Sequence, residues 1–137
     1  MKYLTRHEER EMALLYLFSL EIKDELKNDI DISRLKNLPE SKRRKSRDSY
    51  HIDLIKGVCV NLDVIDDLIS ENLEDWRLER LNIIDKNILR IAIFEIIFQE
   101  DVPGAVAIDE AVEIAKKYGR IESSAFVNGI LSEIDGS

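Results

Sequence analysis

Two cations four residues apart, Lys86 and Arg90, stand in the most apolar stretch of this 137-residue chain. On a helix that spacing puts both on one face, where like charges repel slightly, so something anionic should sit opposite. Two sources are open: acids of the chain itself (Asp85, Glu95 or the acidic first helix), or the phosphates of a nucleic acid, which lysine and arginine neutralise. The paired acids Asp66 with Asp67 and Asp109 with Glu110 have the chemistry for proton transfer, but adjacent helical residues point in different directions. Asp109 and Glu110 also suit a helix N-terminus, whose dipole favours acids. Phe126, beside Ser123 and Ser124 near an expected helix start, is either core or a ring on which an unpaired base could stack.

The remaining chemistry-bearing residues are less productive. His7 and His51 lie far apart without a metal-ligand spacing, and Cys59 between Val58 and Val60 reads as core, with no second cysteine to pair. Neither a Ser, His and Asp set, nor a Cys with His, nor a glycine-rich phosphate loop stands out. No metal, no cofactor and no catalytic residues are expected.

Charge is segregated along the chain. The formal net charge is −8, yet between Arg34 and Arg47 seven basic residues face one acid, a local +6 that leaves −14 for everything else. An overall negative charge argues against broad, non-specific attraction to nucleic acid. The run Lys42 to Arg47 reads as a solvated loop or as a supplementary basic surface. No segment approaches about 18 uninterrupted apolar residues, and the start lacks the hydrophobic run of a secretion signal, so a cytoplasmic protein with no membrane contact is expected.

The elements that must position these groups are helical. Thr5 and Glu8 have capping-box spacing, which predicts a first helix from Arg6, with Ala13, Leu14, Leu17, Phe18 and Leu20 mostly three and four apart and fraying expected beyond Ile22. Ile30, Leu35 and Leu38 suggest a short element ended by Pro39. From about Asp48 to Asn72 one stripe (Leu54, Ile55, Val58, Leu62, Ile65, Leu68, Ile69) predicts a single amphipathic helix with Asp63, Asp66, Asp67 and Glu71 turned mostly to solvent. Leu73, Trp76, Leu78 and Leu81 form a junction. Ile84 to Phe98 is apolar on nearly every side and should be central. A helix follows from about Ala107 to Tyr118, with Gly119 suited to a left-handed cap. A last helix runs from near Ser123 to Ile134, with Gly129 inside it read as a close helix contact. The expected architecture is all-α, a single domain over residues 1–137 with about seven helices.

Against this frame the stretches Trp76-Arg-Leu-Glu-Arg-Leu, Ile84-Asp-Lys-Asn-Ile-Leu-Arg-Ile-Ala, Glu95, Val102-Pro103, Val106 through Gly119 and Ser123-Ser-Ala-Phe-Val-Asn-Gly-Ile-Leu131 closely resemble the NusB family of transcription antitermination factors. Arg6, Arg10, Glu11, Ala13, Leu17 and Phe18 resemble the family's first helix more loosely, and residues 24–47 align with nothing in it. The resemblance implies an all-α fold of two packed helical bundles and an RNA-binding role without catalysis. It implies pairing with NusE, a small-subunit ribosomal protein, on boxA, a single-stranded element of ribosomal RNA transcripts, so that RNA polymerase passes terminators. The RNA surface it implies comprises Arg6 and Arg10, Lys86 and Arg90, and Ser123 with Phe126. Two departures remove positive charge from that surface: His7, Glu8 and Glu9 interrupt the family's arginine cluster, and Ala125 stands where lysine is common. Excess apolar residues on the first and central helices make Phe18, Ile93 and Phe98 candidates for contact with NusE or with a second copy in a homodimer. Two other readings remain: an adaptor of this fold without useful RNA affinity, and an accessory domain for a separate RNA methyltransferase.

Overall fold

A central apolar helix needs neighbours on all sides, and the fold supplies them. The computed structural model describes residues 4–27, 49–74 and 77–136. Among these it contains six α-helices, α1 (Arg6–Ile22), α2 (Tyr50–Val60), α3 (Leu62–Glu71), α4 (Ile83–Phe98), α5 (Gly104–Tyr118) and α6 (Ser123–Asp135), with a short 3-10 turn at Leu78–Arg80 before α4. Helices α1, α2, α3, α5 and α6 all pack on α4. Every residue from Asp85 to Glu95 is accordingly buried. The surrounding core includes Leu14, Leu17, Leu54, Ile55, Ile65, Ile69, Leu89, Ile93 and Leu131, all without solvent exposure, and side chains of this size each contribute roughly 1.5–3 kcal/mol on burial. Cys59 belongs to this core, where burial pushes its thiol up to about 11 despite the opposing charge of Arg90.

Local signals set the helix starts. The capping box at α1 forms in both directions: the Thr5 hydroxyl accepts from the Glu8 amide at 3.1 Å, and the Thr5 amide donates to the Glu8 carboxylate at 2.9 Å. Asn82 caps α4, its side-chain oxygen accepting from the Ile84 amide at 2.7 Å. Helix α5 begins a turn earlier than its apolar pattern suggests, directly after Pro103.

Three expectations are corrected. The stripe from Asp48 to Asn72 is two helices, because the chain breaks at Asn61, whose side-chain amide donates to the Gly57 carbonyl at 2.8 Å and competes with the helical backbone there. Apolar spacing runs through the break undisturbed and so conceals it. Gly119 ends α5 in an extended conformation (φ −89°, ψ −167°), not a left-handed one. Its need for glycine is steric, since a Cβ there would lie 2.6 Å from the Ser123 side chain. Gly129 is exposed with open space beside it, so no close helix contact explains it. The expected count of about seven helices included an element around Ile30 to Leu38; this element, Pro39, the basic run Lys42 to Arg47 and Trp76 lie outside the described residues.

Candidate nucleic-acid and partner interface

Helices α1 and α4 run antiparallel, and two charged seams join them. At the first, Arg10 of α1 reaches Glu95 of α4: its Nε donates to both carboxylate oxygens at 3.0 and 3.1 Å, and its Nη2 to Oε2 at 2.8 Å. The Tyr50 hydroxyl of α2 donates to the same Oε2. Arg10 Nη1 also donates to Glu110 of α5 at 3.2 Å, and His7 Nδ1 lies 2.8 Å from that same oxygen. The Arg6 guanidinium lies over the Tyr50 ring, 3.8 Å from its centroid, a cation–π contact. Burial alone would lower the Arg10 pKa, but the hydrogen bond and charge of Glu95, with help from Glu110, hold it above its ordinary value. Burial and the neighbouring Glu95 charge push the Tyr50 phenol up, so it remains a donor.

At the second seam the order is reversed. Arg90 is the buried hub, donating through Nε and Nη2 to the two oxygens of Asp66 in α3 at 2.8 and 2.9 Å, and through Nη1 to Glu21 of α1 at 2.8 Å and to the Asn87 side chain at 3.0 Å. Lys86 Nζ sits 2.7 Å from Glu21 Oε2, and the Asn87 amide donates to Glu21 Oε1 at 2.9 Å. Burial works to raise the Glu21 pKa, but Lys86, Arg90 and Asn87 together hold it below its ordinary value.

The anion facing Lys86 and Arg90 is thus supplied internally, by the first helix and by Asp66, one of the acids expected to face water. Of the expected RNA-contacting residues, Arg10, Lys86, Arg90 and Ser123 are buried, whereas Arg6 and Phe126 are half-buried. They fall into three places, not one. Arg10 and Arg6 lie at the Glu95 end of α4, and Lys86 lies about 14 Å away along the helix axis at 1.5 Å per residue. Ser123 begins α6, where its hydroxyl accepts from the Arg120 amide at 2.8 Å and lies near the Asp85 carboxyl at the start of α4. Burial raises the Asp85 pKa above its ordinary value, partly offset by Ser123 and Arg120, and its Oδ1 has no partner among the described residues. Phe126 packs against the core from one side.

Two residues that interrupt the expected arginine cluster have structural work. Glu9 is buried and accepts from the His51 amide at 3.0 Å, with the His51 ring nitrogen at 3.2 Å. His7 bridges to Glu110 and approaches Glu11 at 3.5 Å. Among the partner candidates, Ile93 is a correction: it is 0% exposed and cannot touch a partner. Phe98 is 40% exposed and stacks on Phe94 at 5.6 Å, and Phe18 is half-buried. No described helix is long and apolar enough to cross a membrane. Tyr50 and Glu21 are not named by the sequence pattern, and Asp66 stands there only as a solvent-facing acid beside Asp67; the surplus of charge at Lys86 and Arg90 was the available signal for Glu21 and for the true role of Asp66.

Fold and seams define a class of all-α protein organised about a buried, charge-lined central helix. A model of the NusB family matches residues 7–135. The transcription antitermination protein NusB of Listeria innocua is 39% identical over 96% of this chain and 96% of its own length. Among solved structures, NusB of Thermotoga maritima superposes with a TM-score of 0.84 at 38% identity, covering 99% of this chain and 94% of that one. A chain from a complex of the antitermination factors NusB and NusE with double-stranded RNA superposes with a TM-score of 0.75 at 25% identity, covering 96% of each. The chain belongs to the NusB family.

Proposed function

We propose that this chain is a transcription antitermination factor that acts by binding, without catalysis, pairing with NusE on boxA RNA in the RNA polymerase antitermination complex in the cytoplasm. The observation that carries the reading is the whole-length likeness to NusB solved with NusE and RNA. Its physical rationale is a division of labour. Arg6 and Phe126 keep accessible surface for phosphate and base contact, while Arg10, Arg90 and Ser123 hold the starts of the RNA-facing helices in place. A chain of charge −8 whose central cations are internally matched binds RNA weakly alone. NusE then supplies further contacts, and Phe18 and Phe98 are the surfaces for it, or for a second copy of the chain.

The test is binding of labelled boxA RNA, a scrambled strand and an RNA duplex, with and without NusE, across a salt series. Selective binding to boxA that tightens with NusE is expected; equal binding to all RNAs, or no effect of NusE, would overturn the reading. The internal matching of Arg10 and Arg90 favours one second reading, a protein adaptor of this fold: it predicts NusE binding with no gain from boxA at any salt.

A further inference from the structure

At the second seam the acids, not the cations, lie on the solvent side. The side chains of Glu21 and Asp66 are 19% and 20% exposed, against 9% and 5% for Lys86 and Arg90. An approaching phosphate therefore meets negative charge first. The two cations are also held differently. Arg90 is gripped bidentately by Asp66 and again by Glu21, whereas among the described residues the Lys86 ammonium contacts only the second oxygen of Glu21. The other Glu21 oxygen is independently held by Arg90 and Asn87. Lys86 can leave without orphaning Glu21, and a lysine on its flexible four-carbon stem is the side chain suited to such a swing.

We infer that Glu21 is an internal stand-in for an RNA phosphate, the resting counter-ion of Lys86, and that RNA binding exchanges the Glu21 carboxylate for a phosphate at the Lys86 ammonium while Arg90 stays fixed on Asp66. This rests on the RNA-binding reading above. The exchange makes Lys86 a selective contact: a phosphate must displace an existing ion pair, so only a strand already positioned by its other contacts captures this cation. The exchange also hides one phosphate contact from the salt dependence, because Glu21, once released by Lys86, takes up a cation from solution as the phosphate loses one.

The experiment compares the wild-type chain, Glu21→Gln, Lys86→Ala and the double variant, each with NusE, for binding of labelled boxA RNA over a salt series. Glu21→Gln should tighten binding about five- to tenfold at low salt and steepen the log–log salt slope by about 0.7, the contribution of one more phosphate on a single strand. Both gains should vanish in the Lys86→Ala background. Wild-type binding that Glu21→Gln leaves unchanged or weakens, or a gain that survives Lys86→Ala, overturns the exchange and leaves the RNA-binding reading intact. Absence of selective binding in both the wild type and Glu21→Gln overturns both. Should Glu21→Gln not fold, Glu21→Asp, which withdraws the carboxylate by one methylene, must still tighten binding, and its failure to do so counts against the exchange.

Discussion

The two seams between α1 and α4 use the same residue types in opposite order. At the Arg10 seam a carboxylate is the hub: Glu95 is 1% exposed, and Arg10 and Tyr50 converge on it from two other helices. At the Lys86 seam a guanidinium is the hub, and the carboxylates of Glu21 and Asp66 stand toward water. A buried charge is tolerated only when its partners satisfy it, and both arrangements meet that condition. Their outward faces differ, however. The first leaves Arg6 half-buried over the Tyr50 ring, whereas the second presents the carboxylates of Glu21 and Asp66 outward. A cation's place in sequence is therefore a poor guide to its availability; the depth of its counter-ion decides.

Breaking the hubs gives the largest effects. Glu95→Ala leaves Arg10 buried without its main partner and removes the acceptor of Tyr50; unfolding in urea should show a loss of about 3–5 kcal/mol. Arg90→Ala should cost less, about 2 kcal/mol, because Asp66 and Glu21 keep a path to water. If Arg90→Ala proved the costlier of the two, the assignment of hubs would be reversed.

The seams also separate by pH. Glu21 is held below its ordinary value of 4.5, so the stability it contributes is present above about pH 4.5 and is lost as pH falls through its lower folded value. Thermal melts of Glu21→Gln should show a shallower loss of stability with acid than the wild type, and parallel curves would mean that the pair contributes nothing. Asp85, raised by burial, works in the opposite direction: its contribution is complete below its ordinary 3.8 and fades as pH rises. The smallest effect belongs outside both hubs. Lys117, 58% exposed and paired with Glu11 at 2.8 Å, marks the rim of the Arg10 seam, and Lys117→Ala should leave Tm unchanged, as exposed ion pairs contribute little.

Much of the fold was legible because local rules suffice for it. Thr5 with Glu8 announced the start of α1, the all-round apolar run announced α4 as central, the helical spacing of apolar residues carried the all-α class, and the resemblance in the C-terminal half carried the family. The break at Asn61 was not legible, because a polar side chain can cap or continue a helix and the flanking apolar residues keep one stripe through it. For the site, the spacing of Lys86 and Arg90 correctly demanded an anion, but naming Glu21 and Asp66 required the packing of α1 and α3 on α4, which no local pattern encodes. Ile93 shows the complementary error. On a helix buried on every side, an apolar surplus signals more neighbours, not a surface for a partner.

The most direct test of the account is a titration of boxA RNA into the isotope-labelled chain bound to NusE, followed by nuclear magnetic resonance. Shifts concentrated at Arg6, at the Lys86 side chain and at Phe126, with Arg90 unmoved, are the predicted result. Shifts confined to α2 and α3, or a chain that holds NusE and shows none with RNA, would contradict it.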